Sequence, residues 1–144
     1  MTTTMNETQR EEFLEGVHVG IVSIQEPGRG PLAVPIWYDY KSGGELWFLT
    51  EKETRKERLL SASVRISLCA QDERPPYRYV TIEGPVVSIE AADLERDVRP
   101  MAHRYLGREG GDRYTETEGA PSIDDTILVK VRPEHWLSAD YSNE

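Results

Sequence analysis

The sequence predicts a mainly β protein, an antiparallel barrel of six to seven strands of Greek-key type with a few short peripheral helices. Short segments in which apolar and polar residues alternate recur along the chain, as half-buried strands require. Turn sequences rich in Gly and Pro separate neighbouring segments. Helical patterns are few and do not alternate regularly with strands, which disfavours a parallel α/β sheet.

A short helix is expected near the N-terminus, after a disordered segment. Residues 1–6 are polar and rich in Thr, and we expect them to form a disordered tail. Asn6 and Gln9 match the capping-box pattern, in which two side chains satisfy free backbone N–H groups at a helix start. The helix is therefore predicted to begin after Asn6 and to end before Gly16.

Three strands are predicted to follow this helix as a meander. The run Val17–Ile24 is rich in β-branched residues and has apolar side chains on both faces. A turn at Pro27–Pro31 leads into Leu32–Asp39, where apolar residues alternate with a mixed face. Turn residues at Lys41–Gly44 then precede a third strand over Leu46–Thr50.

The rest of the chain is predicted to contain the remaining strands and most of the helical residues. The long strand after Pro75-Pro76 contains Gly84-Pro85, where we expect a bulge or sharp bend. Pro100 is expected to separate two short helices. The predicted elements are a helix at 54–61, strands at 64–71 and 77–89, helical residues at 91–107 and 110–119, and strands at 126–132 and 136–141.

Length and composition point to one domain over residues 1–144, because a chain of this size builds a single core. The formal net charge of −9 argues against a nucleic-acid partner, which would require an excess of Lys and Arg on one face. No apolar run is long enough to cross a membrane, and we expect a cytoplasmic protein. Cys69 is the only cysteine, and the three scattered histidines do not predict a metal site.

The segment Thr50–Glu57 carries the strongest functional signal. Thr54 followed by Glu57 matches a capping box, which makes Arg55 and Lys56 the first two residues of a helix. Two cations at the positive end of a helix are unfavourable unless an anion binds there. The residues alone leave two interpretations open, namely a phosphate site or a solvated helix start whose cations are balanced by neighbouring glutamates.

An ordered set of segments resembles the pyridoxamine 5′-phosphate oxidase-like split-barrel superfamily. The resemblance is strongest from about residue 13 to residue 89 and looser toward the C-terminus. The segments that carry it are Val34-Pro35-Ile36-Trp37-Tyr38, Glu45–Thr50, Thr54-Arg55-Lys56 with Leu59-Leu60, Val64–Leu68, and Tyr79-Val80-Thr81-Ile82-Glu83-Gly84.

This resemblance implies a split β-barrel, a homodimer and a site for a flavin-type cofactor. It implies that Thr50, Thr54, Arg55 and Lys56 bind the cofactor phosphate. It also implies that the strand over Val34, Pro35, Ile36 and Trp37 lies along the cofactor ring, between two subunits. From the residues alone, Pro35 can equally be an ordinary edge-strand proline, and Trp37 a core or interface residue.

Within the superfamily the chain is most similar to the actinobacterial branch that often uses the deazaflavin coenzyme F420. It lacks the C-terminal substrate-phosphate motif of true pyridoxamine phosphate oxidases. We therefore expect an oxidoreductase that uses F420, or alternatively FMN, to transfer hydride to a small conjugated molecule in a cleft at a dimer interface. Tyr77, Arg78 and Tyr79 are candidate cleft residues, and no catalytic acid or base is assigned. The alternative is a non-catalytic protein on the same fold that binds or sequesters flavin or haem.

Overall fold

A computed structural model describes residues 3–117 and 121–142, and in these residues the chain forms eight strands and three α-helices. The helices are α1 Glu7–Glu15, α2 Arg55–Leu59 and α3 Arg99–Glu116, with a π-helix at Leu94–Val98 and a 3₁₀ turn at Ile123–Asp125. The strands are β1 Gly20–Ile24, β2 Leu32–Ile36, β3 Tyr38–Tyr40, β4 Leu46–Glu51, β5 Arg65–Asp72, β6 Arg78–Ala91, β7 Thr126–Val131 and β8 His135–Asp140.

The strands pair antiparallel in one curled sheet, in the order β2-β1-β5-β6-β7-β4-β3. The strands at the two ends of this order, β2 and β3, are separated in the chain by Trp37 alone, so the sheet has to curl until its edges approach each other. The long strand β6 pairs with two strands in succession: its first part, residues 78–83, pairs with β8, and its second part, residues 86–91, pairs with β7. The predicted mainly β, split-barrel fold is confirmed.

The core fills the inside of the curled sheet with side chains from alternate strand positions. Residues such as Phe48, Leu68, Ile82 and Val129 have no exposed surface. Burying one such side chain stabilises a fold by about 1.5–3 kcal/mol, and this burial holds the sheet in its curled form.

Two expectations about the strands need correction. The predicted strand Leu32–Asp39 is divided into β2 and β3 at Trp37, which gives eight strands instead of seven. The first strand begins at Gly20, three residues later than the predicted Val17. Both differences depend on which neighbouring strand each residue pairs with, and the alternation of residue types does not report that.

The expected disordered tail over residues 1–6 is wrong for residues 3–6, while residues 1 and 2 lie outside the described residues. Thr3 and Asp140 exchange backbone hydrogen bonds of 2.9 and 2.7 Å. The Met5 amide donates to the Ser138 hydroxyl at 3.1 Å, and the Met5 side chain is buried. The N-terminal segment is therefore attached to β8 ahead of α1.

The predicted irregularity at Gly84-Pro85 lies slightly further along β6. The register between β6 and β7 shifts between Val86 and Ser88, whereas Gly84 and Pro85 still pair regularly with β5. A side chain at Gly84 would collide with the backbone carbonyl of Arg132, between β7 and β8. The glycine is thus required by a close backbone approach.

Helix α3 is a pair of helical halves joined at Gly107, which has a left-handed φ of 76°. Pro100 lies at the start of α3, just after the π-helix, and so marks the boundary between two helices as predicted. The predicted helical turn at 110–119 extends to Glu116, and its last two residues fall outside the described part of the chain. None of the helices that the structure describes is both long and apolar enough to span a membrane.

Candidate functional site

A pocket of about 460 Å³ lies beside the free edge of β2. The end of β4 with the start of α2 forms one part of its wall, and the π-helix with α3 forms another. The structure brings together in this pocket all eight residues predicted to contact a cofactor, which are Thr50, Thr54, Arg55, Lys56, Val34, Pro35, Ile36 and Trp37.

The start of α2 is built as the sequence predicts. The Thr54 hydroxyl is the N-cap: it accepts a hydrogen bond from the Glu57 amide at 3.2 Å and donates to the Glu51 carbonyl at 2.9 Å. Within the described residues the Glu57 side chain returns no bond to the Thr54 amide, so only half of the predicted capping box forms. Arg55 and Lys56 are the first two helical residues.

Arg55 already has an anionic partner, Glu26, near the start of the β1–β2 turn. The Arg55 Nε lies 3.1 Å from both carboxylate oxygens of Glu26, and Nη2 donates to the same carboxylate. This pairing lowers the pKa of Glu26, chiefly through the hydrogen bond from Arg55. A guanidinium has five donors, so the remaining N–H groups of Arg55 are still available to a second anion. No local sequence pattern links Arg55 to Glu26, because the two residues are 29 positions apart in the chain.

Lys56 has no such partner. Among the described residues it makes no ion pair and no hydrogen bond, and its side chain is partly buried against the pocket. Burial lowers the pKa of Lys56, and the nearby charge of Glu51 only partly opposes this shift. A desolvated ammonium group without a counterion is unfavourable, and a bound anion would remove that cost.

Thr50 carries the second unsatisfied group. Its side chain is buried, with 5% of its surface exposed, and its hydroxyl has no hydrogen-bond partner in the described structure. Buried hydroxyl groups are nearly always hydrogen-bonded. Thr50 and Lys56 line the same pocket, so their missing partner can be one and the same ligand.

The strand β2 lies at the edge of the sheet and lines the pocket. The strand pairs with β1 on one side and ends the sheet on the other. Pro35, which lacks a backbone donor, lies on this edge strand and lines the pocket. Its neighbours Val34 and Ile36 lie in the same wall, so a flat ligand here would contact backbone and aliphatic side chains together.

Opposite the charged segment, aromatic and apolar side chains line the pocket. The Trp37 ring stacks on Tyr105 with centroids 4.9 Å apart and an interplanar angle of 5°. The Tyr114 ring lies 5.6 Å from Trp37, and Met101 and Ala102 complete this wall. No sequence pattern assigned Met101, Ala102 or Tyr114 to this site, since a helix face does not reveal what it packs against.

Comparisons with known proteins identify the family of the chain. The sequence model described as pyridoxamine 5′-phosphate oxidase matches residues 7–139, nearly the whole chain. The chain belongs to the pyridoxamine 5′-phosphate oxidase family. None of the curated proteins matches the sequence significantly.

Solved structures share the fold of this family member at low sequence identity. A structure described as an F420 reductase has a TM-score of 0.72 and 22% identity, with 88% of this chain and 94% of that chain covered. A conserved hypothetical protein from Mycobacterium tuberculosis has a TM-score of 0.71 and 21% identity, covering 95% and 86%. An FAD and heme binding protein from Mycobacterium smegmatis has a TM-score of 0.61 and 18% identity, covering 99% and 74%.

The three predicted cleft residues of this family member lie elsewhere. Tyr77, Arg78 and Tyr79 are at the start of β6 and are not among the described residues that line the pocket. Arg78 instead forms an ion pair with Asp72 and lies over the Phe13 ring. Within one chain, the structure does not bring them to the pocket.

Proposed function

We propose that this protein binds a flavin-type cofactor by its phosphate at the start of α2 and uses it as an oxidoreductase. The observation that carries the proposal is that one pocket contains two groups without a partner among the described residues, the buried Thr50 hydroxyl and the Lys56 ammonium. The chemistry of these groups fits a phosphate, which accepts hydrogen bonds and carries negative charge.

Each residue of the charged segment would have a distinct role toward the phosphate. Lys56 would supply a charge, and its burial strengthens the attraction because little water screens it. Thr50 would donate the hydrogen bond that its hydroxyl does not make to any described residue. Arg55 would contribute the donors that Glu26 leaves free, and Thr54 would hold the helix start in place as its N-cap.

The ring of the cofactor would lie along the free edge of β2, against Val34, Pro35, Ile36 and Trp37. The unpaired backbone groups of an edge strand offer both donors and acceptors to a polar ring edge. The cofactor, when bound, supplies hydride-transfer chemistry, and the protein supplies its position and electrostatic surroundings. The names of the similar structures, an F420 reductase and an FAD and heme binding protein, support a redox cofactor of this class.

We further propose that the protein is a homodimer that shares the pocket. A row of uncharged residues crosses the outer face of the sheet, each paired in register with the next: Pro35, Ile21, Cys69, Thr81 and Leu137. Leu137 exposes 60% of its surface. Val17 and Val19, which shortly precede Ile21 in the chain, expose 55% and 52%. Because Pro35 belongs to both this row and the pocket wall, a second copy seated on the row would cover the open side of the pocket.

Sedimentation velocity tests the dimer. Leu137→Arg should convert a dimer to a monomer, since it places a charge at the most exposed residue of the proposed interface. Leu106→Arg, on the exposed surface of α3, is the matched control and should leave the dimer intact. A wild-type protein that sediments as a monomer would contradict the shared pocket.

Parallel fluorescence titrations of the purified protein with F420 and with FMN test the cofactor. We expect saturable binding of one of them, with inorganic phosphate competing at high concentration. No histidine or cysteine is among the described residues lining the pocket, so haem has no ligand from either type there. A Soret band that grows on haem addition, without flavin or deazaflavin binding, would favour the non-catalytic alternative.

A further inference from the structure

We infer that Tyr114, held against the pocket by Asp112, forms a subsite that selects an uncharged, planar hydride acceptor. The inference rests on the proposed function, because an acceptor has to lie beside the cofactor. It adds a substrate class and two residues, neither of which belongs to the phosphate-binding segment.

The charge distribution in the pocket defines the class of acceptor. The charged residues among the described lining are Glu51, Arg55 and Lys56, and all three belong to the segment at the start of α2. At the aromatic wall the lining is formed by Trp37, Tyr114 and the buried residues around Met101. A charged acceptor would lose hydration at this wall without gaining a partner, whereas a flat apolar molecule would gain aromatic contact.

Tyr114 is placed to contact such a molecule. Its ring lies 5.6 Å from Trp37 at an interplanar angle of 50°, so the two rings do not close on each other face to face. Trp37 is also stacked on Tyr105. Tyr114 lines the pocket, and its hydroxyl makes no hydrogen bond to any other described residue, which leaves it free for a carbonyl group of an acceptor.

Asp112 holds the second half of α3 against the first half. Its Oδ1 accepts hydrogen bonds from Arg99 Nη1 at 2.8 Å and from His103 Nε2 at 2.7 Å. These two bonds cross the chain reversal at Gly107. Tyr114 follows Asp112 by two residues, so the same half-helix that Asp112 anchors carries Tyr114 to the pocket. Asp112 is therefore a positioning residue.

The test compares naphthoquinone with naphthoquinone sulfonate, two flat acceptors that differ by one negative charge. Equilibrium dialysis measures their binding to protein loaded with the oxidised cofactor. We expect the neutral quinone to bind about tenfold more tightly than the sulfonate. In turnover, the reduced cofactor would give a hydride to the quinone and water a proton, which yields the hydroquinone and the oxidised cofactor.

Three variants test which residues determine the binding of naphthoquinone. Tyr114→Ala should weaken naphthoquinone binding about tenfold and leave the cofactor Kd within about twofold. Asp112→Asn should raise the KM for naphthoquinone and leave kcat within about twofold, a split that general loss of structure would not produce. Tyr77→Ala, an exposed tyrosine outside the pocket, is the control and should change neither value.

The outcomes separate this inference from the proposed function. Equal binding of the two quinones, or unchanged naphthoquinone binding in Tyr114→Ala with the cofactor still bound, would overturn the inference alone. Failure of the wild-type protein to bind either F420 or FMN would overturn the proposed function, and the inference with it.

Discussion

The two sides of the pocket are stabilised in opposite ways. At the start of α2, the Thr50 hydroxyl lacks a partner and Lys56 lacks a counterion in the described structure. At the aromatic wall, Asp112 accepts two hydrogen bonds and Trp37 is stacked on Tyr105. Polar groups on the first side thus lack partners among the described residues, whereas Asp112 and Trp37 on the second side already have theirs within the chain.

This difference separates binding groups from supporting groups. An unsatisfied buried polar group costs free energy in the free protein, and a ligand that satisfies it regains that cost on binding. A satisfied group such as Asp112 gains nothing directly from a ligand and acts by holding its neighbours. Variants at the start of α2 should therefore change the cofactor affinity, whereas variants at the aromatic wall should change the packing of that wall.

The largest expected effect is on the charged side. Replacing Arg55 and Lys56 together by Ala removes two charge-assisted contacts to the phosphate and should weaken cofactor binding about 1,000-fold. Fluorescence titration measures it. Arg58→Ala is the matched control, because Arg58 lies on the same helix outside the described pocket lining. Unchanged affinity in the double variant would remove the phosphate assignment.

At the aromatic wall, the addition of one methyl group at Gly111 should push the two halves of α3 apart. A Cβ at Gly111 would lie 2.7 Å from His103 N and 2.9 Å from Ala102 C, which are backbone atoms that cannot move aside. Gly111→Ala should lower the free energy of unfolding by about 2 kcal/mol. Chemical denaturation measures it, with Gly110→Ala as control, since a Cβ there would meet only the Leu106 side chain at 3.2 Å. Equal stability of the two variants would show that the halves are not tightly packed.

Thr50→Val should act in opposite directions on stability and on binding. Valine has nearly the same shape but no hydroxyl, so the free protein should gain about 1 kcal/mol as the unsatisfied group disappears. The cofactor should then bind about fivefold more weakly, because the same hydroxyl no longer donates to the phosphate.

Thr126→Val is the matched control for this variant. Thr126 is also buried beside the pocket, but its hydroxyl donates to the Ser122 carbonyl at 2.8 Å. Its loss should destabilise the protein by about 1 kcal/mol. Destabilisation by Thr50→Val as well would mean that its hydroxyl already has a partner in the free protein.

The smallest expected effect concerns pH. Burial lowers the pKa of Lys56 below its ordinary value of 10.5, and a bound phosphate would raise it again. Between these two pKa values the complex holds a proton that the free protein has lost, so affinity should fall as pH rises. Arginine stays charged, so Lys56→Arg should show a flatter decline between about pH 7 and pH 10. Comparing the two proteins with one cofactor cancels the titration of the cofactor, and identical pH profiles would contradict the role of Lys56.

Local patterns in the sequence were sufficient for most of the elements. Alternating residue types predicted the strands, and Asn6 with Gln9 correctly placed the start of α1. The N-cap Thr54 placed Arg55 and Lys56 at the start of α2. These predictions succeed because a strand period or a helix cap depends on residues within a few positions of one another.

Tertiary structure decided what those residues contact. The pairing of Arg55 with Glu26, the lack of a partner for Lys56 and the attachment of residues 3–6 to β8 all involve segments distant in the chain. The division of the second strand at Trp37 and the placement of Tyr114 at the pocket likewise follow from how the sheet curls and where α3 packs. Because burial and the presence or absence of a partner are set by long-range packing, the sequence by itself could name candidate phosphate-binding residues but could not show which of them lack a partner in the described part of the chain.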